Sequence, residues 1–407
     1  MEDLKKSNAI ASCDIRETDK QFVAHTYNRF SPVIVKGSGS LAYDAEGNEY
    51  IDMGSGIGVN AFGYSDPEWA AAVANQASLL QHTSNLYYTE PCAKLAKLLC
   101  ERTGMSKVFF GNSGAEANEC AFKIARKYAS DKYGSSRNVI VTLKNSFHGR
   151  TLSSLAATGQ EHYHELFTPL TPGFDYIDAN TAESLNELEK KLAGGNVCAL
   201  MIECIQGEGG VLPIDKDWAL KAQELVHEND ALLIVDEVQT GNGRTGKLYA
   251  YMNFGLEPDV VTTAKGLGGG LPIGAALIAE KAAGVLGFGD HGSTFGGNPV
   301  CCAGALSIMS RIDNELLGEV RRKGELLRSM LLGRPGVKSV SGMGLMVGIE
   351  TERPAGEVVK DCLNAGLLCL TAKNRVRLLP ALNIPDELLV KAAEIIVSYA
   401  ARPQSAQ

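Results

Sequence analysis

The chain has 407 residues, 45% hydrophobic and 21% charged, with a formal net charge of −8. That balance excludes a largely disordered chain, which would lack the apolar surface to offset its ordering entropy. The acidic excess gives no support to a nucleic-acid or anionic-membrane role, and no apolar run approaches the roughly 18 to 20 residues that span a bilayer. The charged start, Met1-Glu2-Asp3-Leu4-Lys5-Lys6, has no apolar stretch behind it, so a cytoplasmic protein without a secretory signal is expected. Ten cysteines, none in a C-x-x-C pair, lie mostly in apolar stretches such as Val197 to Ile202. They read as buried thiols in a reducing compartment, not as a disulfide framework or a zinc site.

In chain order, residues 31–51 form a meander, with Pro32 to Val35 and Leu41 to Tyr43 broken by Gly37, Gly39 and Gly47. An alternating series follows: strand 107–110, helix 114–133, strand 139–143, a helical stretch at 181–193, strand 198–204, helix 216–229, then strands 231–238, 259–264 and 275–279. Continuous apolar runs predict strands covered on both faces. Strand–helix alternation predicts an α/β domain with a mostly parallel sheet, whose ligands sit at the carboxyl ends of the strands. From about residue 300 a helical pattern runs to 333, followed by Val337 to Val340, Gly344 to Ile349, a short helix, Arg377 to Leu379 and a last helix from Pro385. The expected division is an N-terminal segment with part of a small domain (1–60), a large α/β domain (61–298) and a small α+β domain (299–407).

The strand ends carry the chemistry. Asn112-Ser113-Gly114-Ala115-Glu116 opens a helix, which suits an anion at backbone N–H groups and equally an ordinary serine N-cap. Asn145-Ser146-Phe147-His148-Gly149-Arg150 offers a ring to stack and a cation for a carboxylate, or a plain turn. Strand 198–204 ends in Glu203 and runs into Gln206-Gly207-Glu208-Gly209-Gly210, where buried acids require partners. Four aliphatic residues run into Asp236-Glu237-Val238-Gln239, a carboxylate poised for a cation, a metal or an ion pair. No G-x-x-x-x-G-K-[ST] exists to support a nucleotide hydrolase. Lys265 closes a β-branched strand before Gly266-Leu267-Gly268-Gly269-Gly270; desolvation there would supply a free amine for imine chemistry. Ser293 and Thr294 add two hydroxyls in another glycine cluster. Gly287 to Gly292 matches G-x-G-x-x-G without a strand–helix context, and His162-Tyr163-His164 lacks a third metal ligand. A lysine, a carboxylate for a ring nitrogen, a stacking aromatic and a helix N-terminus for phosphate together describe pyridoxal 5′-phosphate.

With these motifs the chain resembles the class III, fold-type I aminotransferases over essentially residues 20–400. The resemblance rests on 112–118, 146–151, 206–210, 236–239, 263–266 and 294–299. It implies a large domain with a helix-sandwiched parallel sheet, a smaller α+β domain from both chain ends, and a homodimer whose subunits share active sites. Lys265 would be the covalent lysine and proton shuttle, Asp236 the partner of the ring nitrogen and Gln239 that of the ring hydroxyl. Phe147 and Val238 would sandwich the ring. Ser113, Gly114 and Ala115 would hold the phosphate, with Thr294 reaching it from the other subunit. Arg150, Ser293, Tyr27 and Ile57 would meet the substrate, and Glu208 with Arg377 would form a switch pair that admits a dicarboxylate.

The implied reaction moves the δ-amino group of N-acetylornithine to 2-oxoglutarate. Ornithine aminotransferases carry a tyrosine where this chain has Ile57, which favours an acylated substrate end. Succinylornithine, 4-aminobutyrate, ornithine or N-acyl-lysine are alternative donors, and a glutamate-semialdehyde mutase is an alternative activity. Departures from the family pattern are Ala115 for threonine, Cys204 for proline in the Glu203 run, and Ala381 after Pro380.

Overall fold

Strands nearly free of polar side chains set the core. In the computed structural model, which describes residues 12–401, the largest sheet has seven strands. These are β1 (Lys107–Gly111), β2 (Val139–Leu143), β3 (Phe174–Ile177), β4 (Val197–Ile202), β5 (Leu232–Asp236), β6 (Val260–Thr263) and β7 (Gly274–Ile278). Every residue of β4 to β7 is buried, as strands covered on both faces require. The spatial order is β1-β7-β6-β5-β4-β2-β3. Pairing is parallel from β6 across to β3, and β7 alone runs antiparallel, to both β6 and β1. The sheet is therefore mostly parallel, as the alternating pattern predicts.

The helix Gly114–Tyr133 follows β1 and buries a stripe including Ala117, Ala121, Ile124, Ala125 and Tyr128, the spacing of one helical face. Ala182–Ala193 and Lys216–Glu228 precede β4 and β5. Thr181 and Asp215 cap them, each accepting a first-turn N–H that would otherwise lack a partner.

Three expected boundaries shift for identifiable reasons. β4 stops at Ile202 because the chain leaves the sheet to pair Ile205 with Pro213. β5 stops at Asp236, whose Oδ1 accepts the Val238 N–H at 2.9 Å and turns the backbone. The helical pattern of 300–333 splits into Pro299–Arg311 and Asn314–Leu331, since Asp313 caps the second helix by accepting the Leu316 N–H at 2.8 Å. β3 and the helices Pro67–Leu79 and Glu90–Thr103 complete the elements around the sheet.

The meander is present as Ile34–Ser38, Leu41–Asp44 and Glu49–Asp52, and Leu367–Leu368 extends it by parallel pairing with Ile51 and Asp52. Segments from both ends of the chain thus share one sheet. A further sheet joins Val337–Met343, Met346–Thr351, Arg375–Leu378 and Leu370–Ala372; its third strand carries Arg377 toward the rim of the large sheet.

Close packing of β7 against the start of the helix after β1 is one tight constraint on that rim. A Cβ on Gly274 would stand 2.1 Å from the Ser113 carbonyl oxygen. Gly274→Ala should therefore destabilise the protein by about 1 to 3 kcal/mol through overpacking. Gly284→Ala, where a Cβ meets nothing within 4 Å, should stay within about 0.5 kcal/mol. Denaturant unfolding of the two variants checks this; equal midpoints would contradict it.

Candidate active site

The carboxyl ends of β1, β2, β4, β5 and β6 open onto a cavity of about 470 Å³. Asp236, at the end of β5 and 4% exposed, is the charge the rim is built around. A carboxylate so buried is costly unless its lone pairs are satisfied. Its Oδ2 accepts from Asn118 Nδ2 at 2.9 Å and lies 2.8 Å from His148 Nδ1, while Oδ1 takes the Val238 N–H. With Nδ1 as donor, the ring tautomer is fixed by the carboxylate. Asn118 also donates to the His148 carbonyl at 2.7 Å, so helix, loop and strand end lock together. Neither Asn118 nor His148 has a role in the sequence reading, although both lie inside its motifs.

A second acid, Glu203, lies 6% exposed beside the same cavity. It accepts the Phe147 N–H at 3.1 Å. Burial, and then the charge of Asp236, push its carboxyl well above the usual range. Two adjacent buried carboxylates do not both ionise cheaply, and Asp236 is the one with three hydrogen-bonding partners.

At the β1 end, the Ser113 hydroxyl caps the following helix by accepting the Glu116 N–H at 3.2 Å. The N–H groups of Gly114 and Ala115, in the first turn of that helix, have no intrahelical acceptor, and both residues line the cavity. Gly114 is required there: a Cβ would meet Val238 Cγ1 at 2.7 Å. Val238 and Phe147 both line the cavity.

Lys265 follows β6 with φ +45°, a left-handed conformation that costs a non-glycine residue energy and persists only where its surroundings enforce it. Asn242 supplies the enforcement, donating to the Ala264 carbonyl at 3.0 Å and to Thr263 Oγ1 at 3.1 Å. Burial lowers the Lys265 pKa; Glu208 opposes that shift and Arg377 adds to it. The amine is poised toward its neutral form.

Two cations stand beside this group. Arg377, 3% exposed, donates to Glu208 Oε1 at 2.5 Å and to Gln239 Oε1 at 3.1 Å. Burial alone would raise the Glu208 pKa, but the Arg377 charge and hydrogen bond bring it below the usual value. The pair is therefore ionised. Arg150 is exposed, lines the cavity and makes no ion pair with the described residues. Its guanidinium lies 4.3 Å over the Tyr163 ring and 5.6 Å over Phe147.

Four expected residues stand apart from the cavity within one chain. Thr294 lines a separate hollow with His82, Ser84 and Tyr88. The Ser293 hydroxyl accepts from Asn112 Nδ2 and from the Gly296 N–H, both at 3.0 Å. Ile57, 41% exposed, lines a neighbouring apolar hollow with Arg29 and Phe30. Tyr27 is 74% exposed. Among the described residues no group of three or more potential ligands is placed to hold a metal ion.

The donor set fits pyridoxal phosphate: a glycine cradle at a helix N-terminus for phosphate, a satisfied carboxylate for the ring nitrogen, flat apolar contacts from Phe147 and Val238, and an amine with depressed pKa. The family model described as aminotransferase class III matches residues 22–399. The chain is 50% identical over 389 residues to the acetylornithine aminotransferase of Haemophilus ducreyi, covering 95% of this chain and 98% of that one. It is 45% identical over 385 residues to that of Caldanaerobacter subterraneus, covering 93% and 97%. Among solved structures, ornithine aminotransferase from Toxoplasma gondii superposes with TM-score 0.90 at 33% identity over 96% of this chain and 94% of that one. N-acetylornithine aminotransferase from Stenotrophomonas maltophilia gives 0.80 at 35%, over 95% and 98%. The chain belongs to the class III aminotransferases, fold-type I enzymes that work with pyridoxal phosphate.

Proposed function

We propose that the protein transfers the δ-amino group of N-acetylornithine to 2-oxoglutarate, giving N-acetylglutamate semialdehyde and glutamate in arginine biosynthesis. The observation that carries this reading is the pairing of one free arginine with one masked arginine beside Lys265. Arg150 is free to take the single carboxylate of the amine donor through a forked hydrogen bond. Arg377 is neutralised by Glu208 in that half of the cycle, and movement of Glu208 frees it for the second carboxylate of 2-oxoglutarate. One pocket thus accepts two differently charged substrates. A mutase has no need of this arrangement, and the similarity to acetylornithine aminotransferases points the same way.

When bound, pyridoxal phosphate supplies an electron sink conjugated with the substrate nitrogen. Lys265, as a neutral amine, removes the proton from the substrate's amine-bearing carbon and redelivers it. Asp236 would hold a proton at the ring nitrogen, Gln239 would meet the ring hydroxyl, and Phe147 and Val238 would hold the ring between them. Ser113, Gly114 and Ala115 bind phosphate. Ile57, in the apolar hollow beside the cavity, would offer an apolar neighbour to an acylated substrate end reaching that far and a poor one to a free α-ammonium group.

We further infer a homodimer in which Thr294 and Ser293 act on the neighbouring site. Their position outside their own cavity supports this, as does the exposure of Leu79, Leu86, Tyr87, Tyr88 and Phe295 around them; apolar surface of that extent ordinarily marks an interface. Parallel pairing of Leu367–Leu368 with Ile51–Asp52 supports a small domain drawn from 1–60 and 299–407 beside a cofactor-binding domain at 61–298. Nine described cysteines, all free, suit a reducing cytoplasm. No helix of the described residues is long and apolar enough to cross a membrane.

Half-reactions of the purified enzyme with N-acetylornithine, ornithine, 4-aminobutyrate and N-acetyl-lysine, followed through the cofactor's visible absorbance, test the donor. N-acetylornithine should convert fastest, and faster conversion of another amine would replace the substrate while leaving the chemistry. Lys265→Ala should abolish turnover with every donor while circular dichroism stays unchanged. Retained turnover in that variant would remove Lys265 from its role.

A further inference from the structure

Arg150 faces an unusual positional problem. It is exposed, unpaired and borne on a flexible stem, yet under the proposed function it must present a fixed fork to two different carboxylates. Thr151 and Ser154 cap the helix that follows it, through Ser154 Oγ and the Thr151 N–H at 3.0 Å, which fixes the backbone but not the guanidinium. Among the described residues the guanidinium makes no hydrogen bond or ion pair, and it lies over the rings of Tyr163 and Phe147. Tyr163 is the nearer, at 4.3 Å from its centroid.

Tyr163 is itself firmly held. It closes the one-turn helix Glu161–Tyr163, with its N–H on the Gln160 carbonyl at 3.1 Å. The Gln160 side chain is buried and donates to the Ser146 carbonyl at 3.0 Å, one residue before Phe147. On the far side His164 Nε2 donates to the Leu155 carbonyl at 3.0 Å. The His162 ring packs against Tyr163 at 3.9 Å. The Tyr163 ring meets Phe147 edge-on at 5.6 Å and 65°. One aromatic side chain therefore touches both the cation and the ring-stacking residue of the site.

We propose that Tyr163 is a positioning residue for substrate carboxylates: its face holds the Arg150 guanidinium flat by cation–π attraction and leaves the in-plane N–H donors directed at the ligand. A guanidinium stacked on a ring keeps its fork free, since the donors lie in its plane and the attraction acts perpendicular to it. This rests on the reading of Arg150 as the carboxylate-binding residue. The consequence is a residue that governs affinity for N-acetylornithine and 2-oxoglutarate together, without touching either or the reacting atoms.

The test compares Tyr163→Leu, Tyr163→Phe, Arg150→Ala and the double variant Tyr163→Leu/Arg150→Ala as holoenzymes. Tyr163→Leu should raise KM for both substrates about three- to tenfold, with kcat within about twofold of the parent. Tyr163→Phe keeps the π face and should restore both KM values. In the Arg150→Ala background the leucine change should add nothing, because the guanidinium it positions is gone. A KM penalty from Tyr163→Leu that persists in that background would overturn the proposal, as would weakened cofactor binding in place of raised KM. Unchanged KM values in Arg150→Ala itself would instead sink the reading of Arg150, a separate and distinguishable failure.

Discussion

The site depends on a single buried charge. Asp236 ends a strand whose every residue is buried, and leaving such a carboxylate unsatisfied would cost several kcal/mol. The fold meets that cost with donors from three places: a helix side chain, a loop histidine and the backbone two residues on. Those bonds do more than offset desolvation. Asn118 rides on the helix that opens at residues 113–115, and His148 belongs to the loop that carries Phe147 and Arg150. Satisfying one carboxylate therefore ties together the helix start, Phe147 and Arg150, the three parts to which the proposed function gives phosphate, ring and substrate carboxylate.

Electrostatic balance around Lys265 follows from the same crowding. Lys265, Glu203 and Asp236 line the cavity, Arg377 and Glu208 stand behind its Gln239 wall, and these charges act on one another through a low-dielectric region. Burial lowers the lysine pKa while raising that of Glu203. Glu208, only partly enclosed, stays ionised because Arg377 lies against it. Burial thus pushes one base and one acid toward neutrality, and pairing with Arg377 preserves the charge of Glu208, which under the proposed function would serve as the removable mask on Arg377. That division suits a ping-pong enzyme, which must rearrange charge between half-reactions without rebuilding its pocket.

Much of this was legible in the sequence because strand ends announce themselves. An aliphatic run ending in Asp236, and a β-branched run ending in Lys265 before glycines, mark where a buried sheet meets a polar rim, and the large sheet is parallel from β6 to β3 as the alternation predicts. The partners of those groups were not legible. His148 and Asn118 stand 88 and 118 residues from Asp236, and no local spacing records a contact of that range. Tyr163 sat inside a His-Tyr-His run whose histidines drew attention as possible ligands, although the tyrosine between them makes the contact to Arg150. Edge strand β3, Phe-Asp-Tyr-Ile, lacks the continuous apolar run of the buried strands and is only partly covered. The helix Pro67–Leu79, which the sequence reading does not single out, buries none of its residues.

The central claim of the proposed function is that Asp236 would keep the cofactor's ring nitrogen protonated. Its most direct test is nitrogen NMR of the holoenzyme reconstituted with cofactor isotope-labelled at the ring nitrogen, in the parent protein and in Asp236→Asn. A protonated ring nitrogen at neutral pH in the parent, lost in Asp236→Asn, is the result this account predicts. An unprotonated nitrogen in the parent, or a protonated one that survives the substitution, would contradict it.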